Sequence, residues 1–233
     1  MVKTVLCYGD SNTWGFSPLS GKRFDHRTRW PMVLWRLLNR GAPLFPEDGR
    51  EDPPYWVIEE GLCGRTSCRE DPIEGDLNGL RQLIPILESH KPLDWVAIML
   101  GSNDLKLRFN PSAFDAAVGV QRLANAVLNS RCGPRGGPPQ VLLICPPPTT
   151  VSGKFAHIFG DSVELSKKLA PYFRAMAKEI GVIFLDAGEI IKSSPADGVH
   201  LEAEEHRKLA EAVAAIIDQK LGDTRFELVT STV

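Results

Sequence analysis

The chain has 233 residues, 43% of them hydrophobic and 24% charged, long enough to bury one sizeable core and too short to require two domains. A formal net charge of -2 and a pI near 6.2 leave no overall basic field to hold a nucleic acid or an acidic membrane surface, so a small neutral or weakly polar ligand fits better. Five cysteines (Cys7, Cys63, Cys68, Cys132, Cys145) form no C-x-x-C pair, and Cys7 and Cys145 fall in apolar strand-like runs, which points to a reducing compartment.

The first residues run directly into a strand, VKTVLCYG, which is expected to leave no room for a cleavable leader, and no apolar run approaches membrane-spanning length; the expected location is cytoplasmic. Gly9-Asp10-Ser11-Asn12-Thr13 leaves that strand as a turn. A serine there is positioned to be a nucleophile, because the strand fixes its backbone while the turn exposes its hydroxyl. A hydroxyl that merely caps a helix is the plainer reading.

Residues 16–29 are polar and irregular, and residues 30–40 (WPMVLWRLLNR) have helical spacing, with Pro31 suited to a first turn. The Pro-, Gly- and acid-rich residues 41–54 interrupt the pattern before YWVIEEG reads as a second strand, followed by a loop that contains Gly64. Residues 78–89 read as a helix that Pro85 should bend, and DWVAIMLG is a third strand ending at Ser102-Asn103-Asp104. Ser112 caps a helix to about residue 129, QVLLIC is a fourth strand, and three prolines stop it.

Residues 149–161 then read as a long connection, residues 163–180 as one helix, VIFLDAG as the fifth strand and residues 201–221 as the last helix. Residues 1–222 form one domain in this reading, and residues 223–233 a flexible tail. Five short apolar strands alternating with helices predict an α/β fold with an open parallel sheet covered on both faces. In such folds the working groups collect beyond the carboxyl ends of the strands, so Ser11, Gly64, Asn103 and the loop after strand five converge.

Asp197 and His200, three residues apart on that last loop, can fold toward a common point, or can simply cap a turn and start a helix. Asn103 can donate its amide to a developing oxyanion, or make an ordinary turn after a strand. Gly64 can bring a bare backbone N–H to a substrate oxygen, or can merely satisfy unusual loop angles. Asp10 and Asp104 beside these blocks read as structural hydrogen-bonding groups, since no cluster of histidines or carboxylates has ligand spacing; no metal and no cofactor is assigned.

Four such signals, each at the end of its strand, carry more than any one of them. The blocks GDSNTWG, the glycine of EEGLCGRT, GSND and DGVHL resemble those of the SGNH (GDSL-like) hydrolases, over residues 2–221. VIEEGLCGRTS, IMLGSND, the CPPP turn and FLDAG leading to DGVHL look like the branch of bacterial arylesterases and acyltransferases. The resemblance implies a three-layer flavodoxin-like fold with a five-stranded parallel sheet, and the missing G-x-S-x-G elbow separates the chain from the α/β hydrolases.

It further implies Ser11 as nucleophile, His200 as base, Asp197 as its partner, and Ser11, Gly64 and Asn103 as the oxyanion hole. Trp14, Phe16, Phe155, Ile158 and Phe159 would line a narrow acyl pocket partly enclosed by neighbouring subunits of a homo-oligomer, although ordinary packing is an equal reading of these apolar residues. The implied activity is a serine esterase for small-molecule short-chain esters, with transfer to water, an alcohol or peroxide. Two rivals stand beside it: a carbohydrate or lipid deacetylase on the same scaffold, and a non-catalytic protein that binds a small ligand in the sheet-edge crevice.

Overall fold

The computed structural model describes residues 2–41, 53–150, 155–160 and 162–230, with side chains through residue 220. Five strands, β1 (Lys3–Gly9), β2 (Tyr55–Gly61), β3 (Trp95–Met99), β4 (Gln140–Cys145) and β5 (Ile183–Asp186), form an all-parallel sheet in the order β2-β1-β3-β4-β5. Successive side chains of a strand face opposite ways, and the sequence satisfies both faces with apolar residues. In β1, Leu6 and Tyr8 enter one core with Val96, Ile98, Val141 and Leu143, while Val5 and Cys7 enter the other with Ala97, Met99, Leu142 and Ile144.

Helices close both faces. α1 (Ser11–Trp14) is a single turn, α2 (Trp30–Leu38) packs against α8 (Ala203–Thr230) over one face, and α3 (Gly79–His90), α4 (Ala113–Leu128) and α7 (Leu169–Ile180) cover the other. Ser112 Oγ accepts the Asp115 N–H at 3.2 Å and so starts α4 where the sequence predicts. Pro85 lies inside α3 on its exposed side, where the carbonyl that it leaves unpaired can face water.

Three expectations about the helices need correction. The predicted helix over residues 163–180 is two helices, α6 (Ser162–Ser166) and α7, because Pro171 supplies no N–H and its ring collides with the carbonyl four residues earlier. The connection ahead of it holds a further turn of helix, α5 (Ala156–Phe159), while residues 151–154 and 161 of that connection, like residues 42–52, lie outside the described residues. The last helix does not end at residue 221 but continues to Thr230, since a lone Gly222 costs a helix only about 1 kcal/mol and no proline follows.

The sheet order places a reversal between β1 and β3, and ligands of open α/β sheets bind at such a point. Register sharpens this. Gly61, Gly9 and Met99 lie level across β2, β1 and β3, so the chain leaves all three strands at one height, and Ser11, Gly64 and Asn103 follow within four residues. Gly61 must be glycine here, because a Cβ would lie 2.1 Å from the backbone nitrogen of Trp14 in α1.

Candidate active site

Asp10 caps α1 by accepting the Asn12 N–H at 2.9 Å, leaving Ser11 as the first helical residue with its hydroxyl free for other work. Ser11 Oγ lies 2.9 Å from His200 Nε2, and His200 Nδ1 lies 2.7 Å from Asp197 Oδ2. A carboxylate only accepts, so Nδ1 carries the ring proton and Nε2 presents its lone pair to the Ser11 hydroxyl. All three residues are buried, with exposures of 7%, 5% and 1% for Ser11, His200 and Asp197.

The loop that carries the pair is tightly tied. Asp197 Oδ1 accepts the backbone N–H groups of Val199 (3.0 Å) and His200 (2.9 Å), so one carboxylate shapes the turn and aims the ring. Burial pushes the Asp197 carboxyl up, but the His200 ring and these two N–H donors outweigh it and hold it below the ordinary carboxylate value. Asn12, the residue after Ser11, accepts the Leu201 N–H at 3.0 Å and donates to the Val199 carbonyl at 3.3 Å. One side chain therefore grips the chain on both sides of His200.

Asn103 begins a short 3-10 turn after β3 and donates one amide hydrogen to Asp10 Oδ2 at 3.3 Å, which orients the second hydrogen. Gly64 has φ +83°, a left-handed angle that suits glycine, and a Cβ there would meet Glu74 Oε2 and Leu77 Cδ1 at 2.8 Å. Arg65 anchors the Gly64 loop to the strand ends, donating to the Gly9 carbonyl at 2.8 Å and to the Glu60 carbonyl, with its guanidinium 4.2 Å from the Tyr8 ring centroid. Asp104 ties the same loop to the Asn103 turn by accepting from Ser67 N (2.9 Å) and Ser67 Oγ (2.5 Å). Burial pushes the Asp104 carboxyl up to about 6 despite those donors.

A cavity of about 190 Å³ opens against Ser11, Asn103, Gly64 and His200. Phe16, Phe155, Ile158 and Phe159 line it, with the Phe16 and Phe155 ring centroids 4.1 and 5.4 Å from that of the imidazole. Trp14 does not line it. Its ring carries the Arg23 guanidinium at 5.2 Å and its carbonyl accepts from Arg23 Nε at 2.7 Å, because α1 ends at Trp14 and Gly15 turns the chain away. Cys63, Glu74, Lys106 and Val199 also line the cavity and were missed by the sequence reading. Cys63 and Val199 each adjoin a predicted site residue, which was a usable signal, whereas nothing in the sequence distinguishes Glu74 or Lys106 from surface charges.

The model of the GDSL-like lipase/acylhydrolase family matches residues 7–208. The chain belongs to that family. Among solved structures, a carbohydrate acetylesterase family member from Sinorhizobium meliloti is 38% identical, with 95% of this chain and 100% of that one covered at a TM-score of 0.84. The aryl esterase of M. smegmatis is 35% identical, with 94% and 99% covered and a TM-score of 0.83. A putative arylesterase from Agrobacterium tumefaciens is 39% identical, with 94% and 99% covered and a TM-score of 0.81. No curated protein matches the chain. This SGNH hydrolase is thus an esterase or acylhydrolase by family, and among its described residues no helix is long and apolar enough to cross a membrane.

Proposed function

We propose that this family member is a serine esterase acting on short-chain carboxylic esters through an acyl-enzyme on Ser11, with transfer of the acyl group to alcohols or peroxide in competition with water. The observation that carries this reading is the continuous chain from Ser11 Oγ through His200 to Asp197, at 2.9 and 2.7 Å, opening on a cavity of only about 190 Å³.

In the reaction, Ser11 Oγ attacks the ester carbonyl as its proton passes to His200 Nε2, and Asp197 stabilises the imidazolium. The oxyanion forms against the N–H groups of Ser11 and Gly64 and the second amide hydrogen of Asn103. His200 then gives the proton to the leaving alcohol, the carbon–oxygen bond breaks, and the acyl group remains on Ser11 until water, alcohol or peroxide attacks with the same base. Phe16 and Phe155 stand beside the imidazole, where the acceptor must approach, and an apolar surround there disfavours ordered water. That arrangement supports transfer as a companion of hydrolysis.

A deacetylase acting on carbohydrate esters is the second reading, favoured by the 38% identity to the Sinorhizobium meliloti carbohydrate acetylesterase family member. Five free cysteines and the absence of a membrane-spanning helix among the described residues fit a cytoplasmic place of work. A homo-oligomer is proposed as well, and a monomeric mass in light scattering removes it.

The test is hydrolysis of p-nitrophenyl acetate, butyrate and octanoate by wild type and Ser11→Ala, with and without a primary alcohol. The expected result is activity that falls with acyl length, disappears in Ser11→Ala and yields transferred ester. An inert wild type moves the non-catalytic binding reading ahead, and an equally active Ser11→Ala overturns the assignment of Ser11 as nucleophile.

A further inference from the structure

The cavity beside Ser11 has two unlike walls. One is apolar, and the other is made by two charged side chains that the triad chemistry does not use, Lys106 and Glu74. Lys106 Nζ is 3.0 Å from Glu74 Oε2 and 3.3 Å from Asp71 Oδ2; Arg108 binds the same two acids, at 3.2 Å to Asp71 Oδ1 and by a close contact to Glu74 Oε1. Asp71 is wholly buried and the Lys106 side chain is 4% exposed, whereas that of Glu74 is 37% exposed.

These four groups sum to zero charge, which decides what they can do. A neutral cluster adds little net field to an oxyanion, and the Glu74 carboxylate repels an acidic substrate, so neither charge stabilisation nor anion binding explains the arrangement. Its hydrogen-bonding capacity does. An ammonium has three donors; Glu74 and Asp71 take two, and the third has no acceptor among the described residues. Glu74 supplies a partly open acceptor beside it. A Cβ on Gly64 would lie 2.8 Å from Glu74 Oε2 and 3.6 Å from Lys106 Nζ, so both atoms stand against the backbone whose N–H is an oxyanion donor in the proposed mechanism.

We infer that Glu74 and Lys106 form a recognition element for a hydroxyl group carried by the substrate close to its scissile carbonyl, making hydroxylated esters the preferred class. A hydroxyl donates to Glu74 and accepts from Lys106 in one position. A methylene placed there strips water from the ion pair and returns no bond. The hydroxyl belongs either to the alcohol half, as in a monoester of a diol or polyol, or to the acyl half, as in a hydroxyacyl ester. The inference rests on the esterase reading above and specifies its substrate.

The experiment compares kcat/KM for ethyl acetate, ethylene glycol monoacetate and ethyl glycolate in wild type, Lys106→Met and Glu74→Met. The readout is each hydroxylated ester's kcat/KM divided by that for ethyl acetate in the same protein, so intrinsic differences in ester reactivity cancel when proteins are compared. Loss of one hydrogen bond to a charged group should lower the ratio for one of the two esters about tenfold in each variant. A fall with ethylene glycol monoacetate assigns the hydroxyl to the alcohol half, and a fall with ethyl glycolate to the acyl half. Ratios equal to wild type in Glu74→Met overturn the inference even where Lys106→Met fails to fold, because Glu74 is the more exposed partner and methionine keeps its length without an oxygen acceptor. A wild type active on p-nitrophenyl acetate but without altered ratios sinks the inference alone, whereas an inert wild type sinks the esterase reading with it.

Discussion

A base is useful only as far as it is aimed, and His200, the base of the proposed mechanism, is aimed by two neighbours. Asp197 fixes the ring through Oδ2 and the turn through Oδ1, while Asn12 holds Val199 and Leu201 on either side. Asn12 does not line the cavity, so its role is positioning, and Asn12→Ala should reduce kcat for p-nitrophenyl acetate by roughly tenfold or more with KM within about twofold. Asn12→Asp restores the acceptor for Leu201 N–H but not the donor to Val199, and steady-state kinetics should place it between the two. In the proposed mechanism Asn103→Ala removes an oxyanion donor worth about 3 kcal/mol of barrier, so kcat should fall on the order of a hundredfold in a protein that still folds. Asn103→Asp should be worse than Asn103→Ala, because a second carboxylate would face Asp10 where the amide now donates.

At the scale of elements, the parts legible in the sequence are those set by short-range rules. Alternating and continuous apolar runs located all five strands, and the Ser112 cap located the start of α4, because strand faces and caps are local properties. That Ser11, Gly64, Asn103 and His200 meet at one cavity was legible because each follows a strand or precedes a helix within a few residues. The break between α6 and α7 was also local, carried by Pro171, and was overlooked in an otherwise helical stretch. What sequence could not give are contacts made between distant loops, such as Arg65 reaching the Gly9 carbonyl, Asp104 reaching Ser67, and Lys106 meeting Asp71 and Glu74. The Asp104–Ser67 clamp joins the loop of Gly64 to the turn of Asn103, so it sets the spacing of the two residues that the proposed mechanism uses as oxyanion donors beside Ser11. Ser67→Ala deletes one of its bonds at a fully buried site, at a cost of about 1–2 kcal/mol. Calorimetry should show Tm lowered by roughly 3–6 °C. A fall in kcat with little change in KM should accompany it, and an unchanged kcat would reduce the clamp to a purely structural tie.

Across the whole molecule, two buried groups on opposite faces of the sheet give stability opposite responses to pH. His206, on α8 against Trp30, Phe24 and Arg29, has its ring lowered to about 3 by burial, with the nearby charges of His200 and Arg29 acting the same way. The unfolded chain takes up this proton as the pH falls through about 6.5, and the folded chain refuses it until about 3. The contribution of His206 is therefore present above pH ~6.5 and is lost progressively below it. Asp104, with Arg69 as its nearest cation, behaves in the reverse sense. The folded chain keeps its proton up to about pH 6 while the unfolded chain releases it near 4, so its contribution is full below ~4 and lost as pH rises through 6. Urea unfolding between pH 4 and 7 separates the two. Relative to wild type, His206→Gln should gain stability as pH falls, because the group that refuses a proton is gone. Asp104→Asn should gain relative stability as pH rises, because the amide never has to ionise in the core. Difference curves that stay flat across this range for both variants would mean that neither group titrates differently in the folded and unfolded chains.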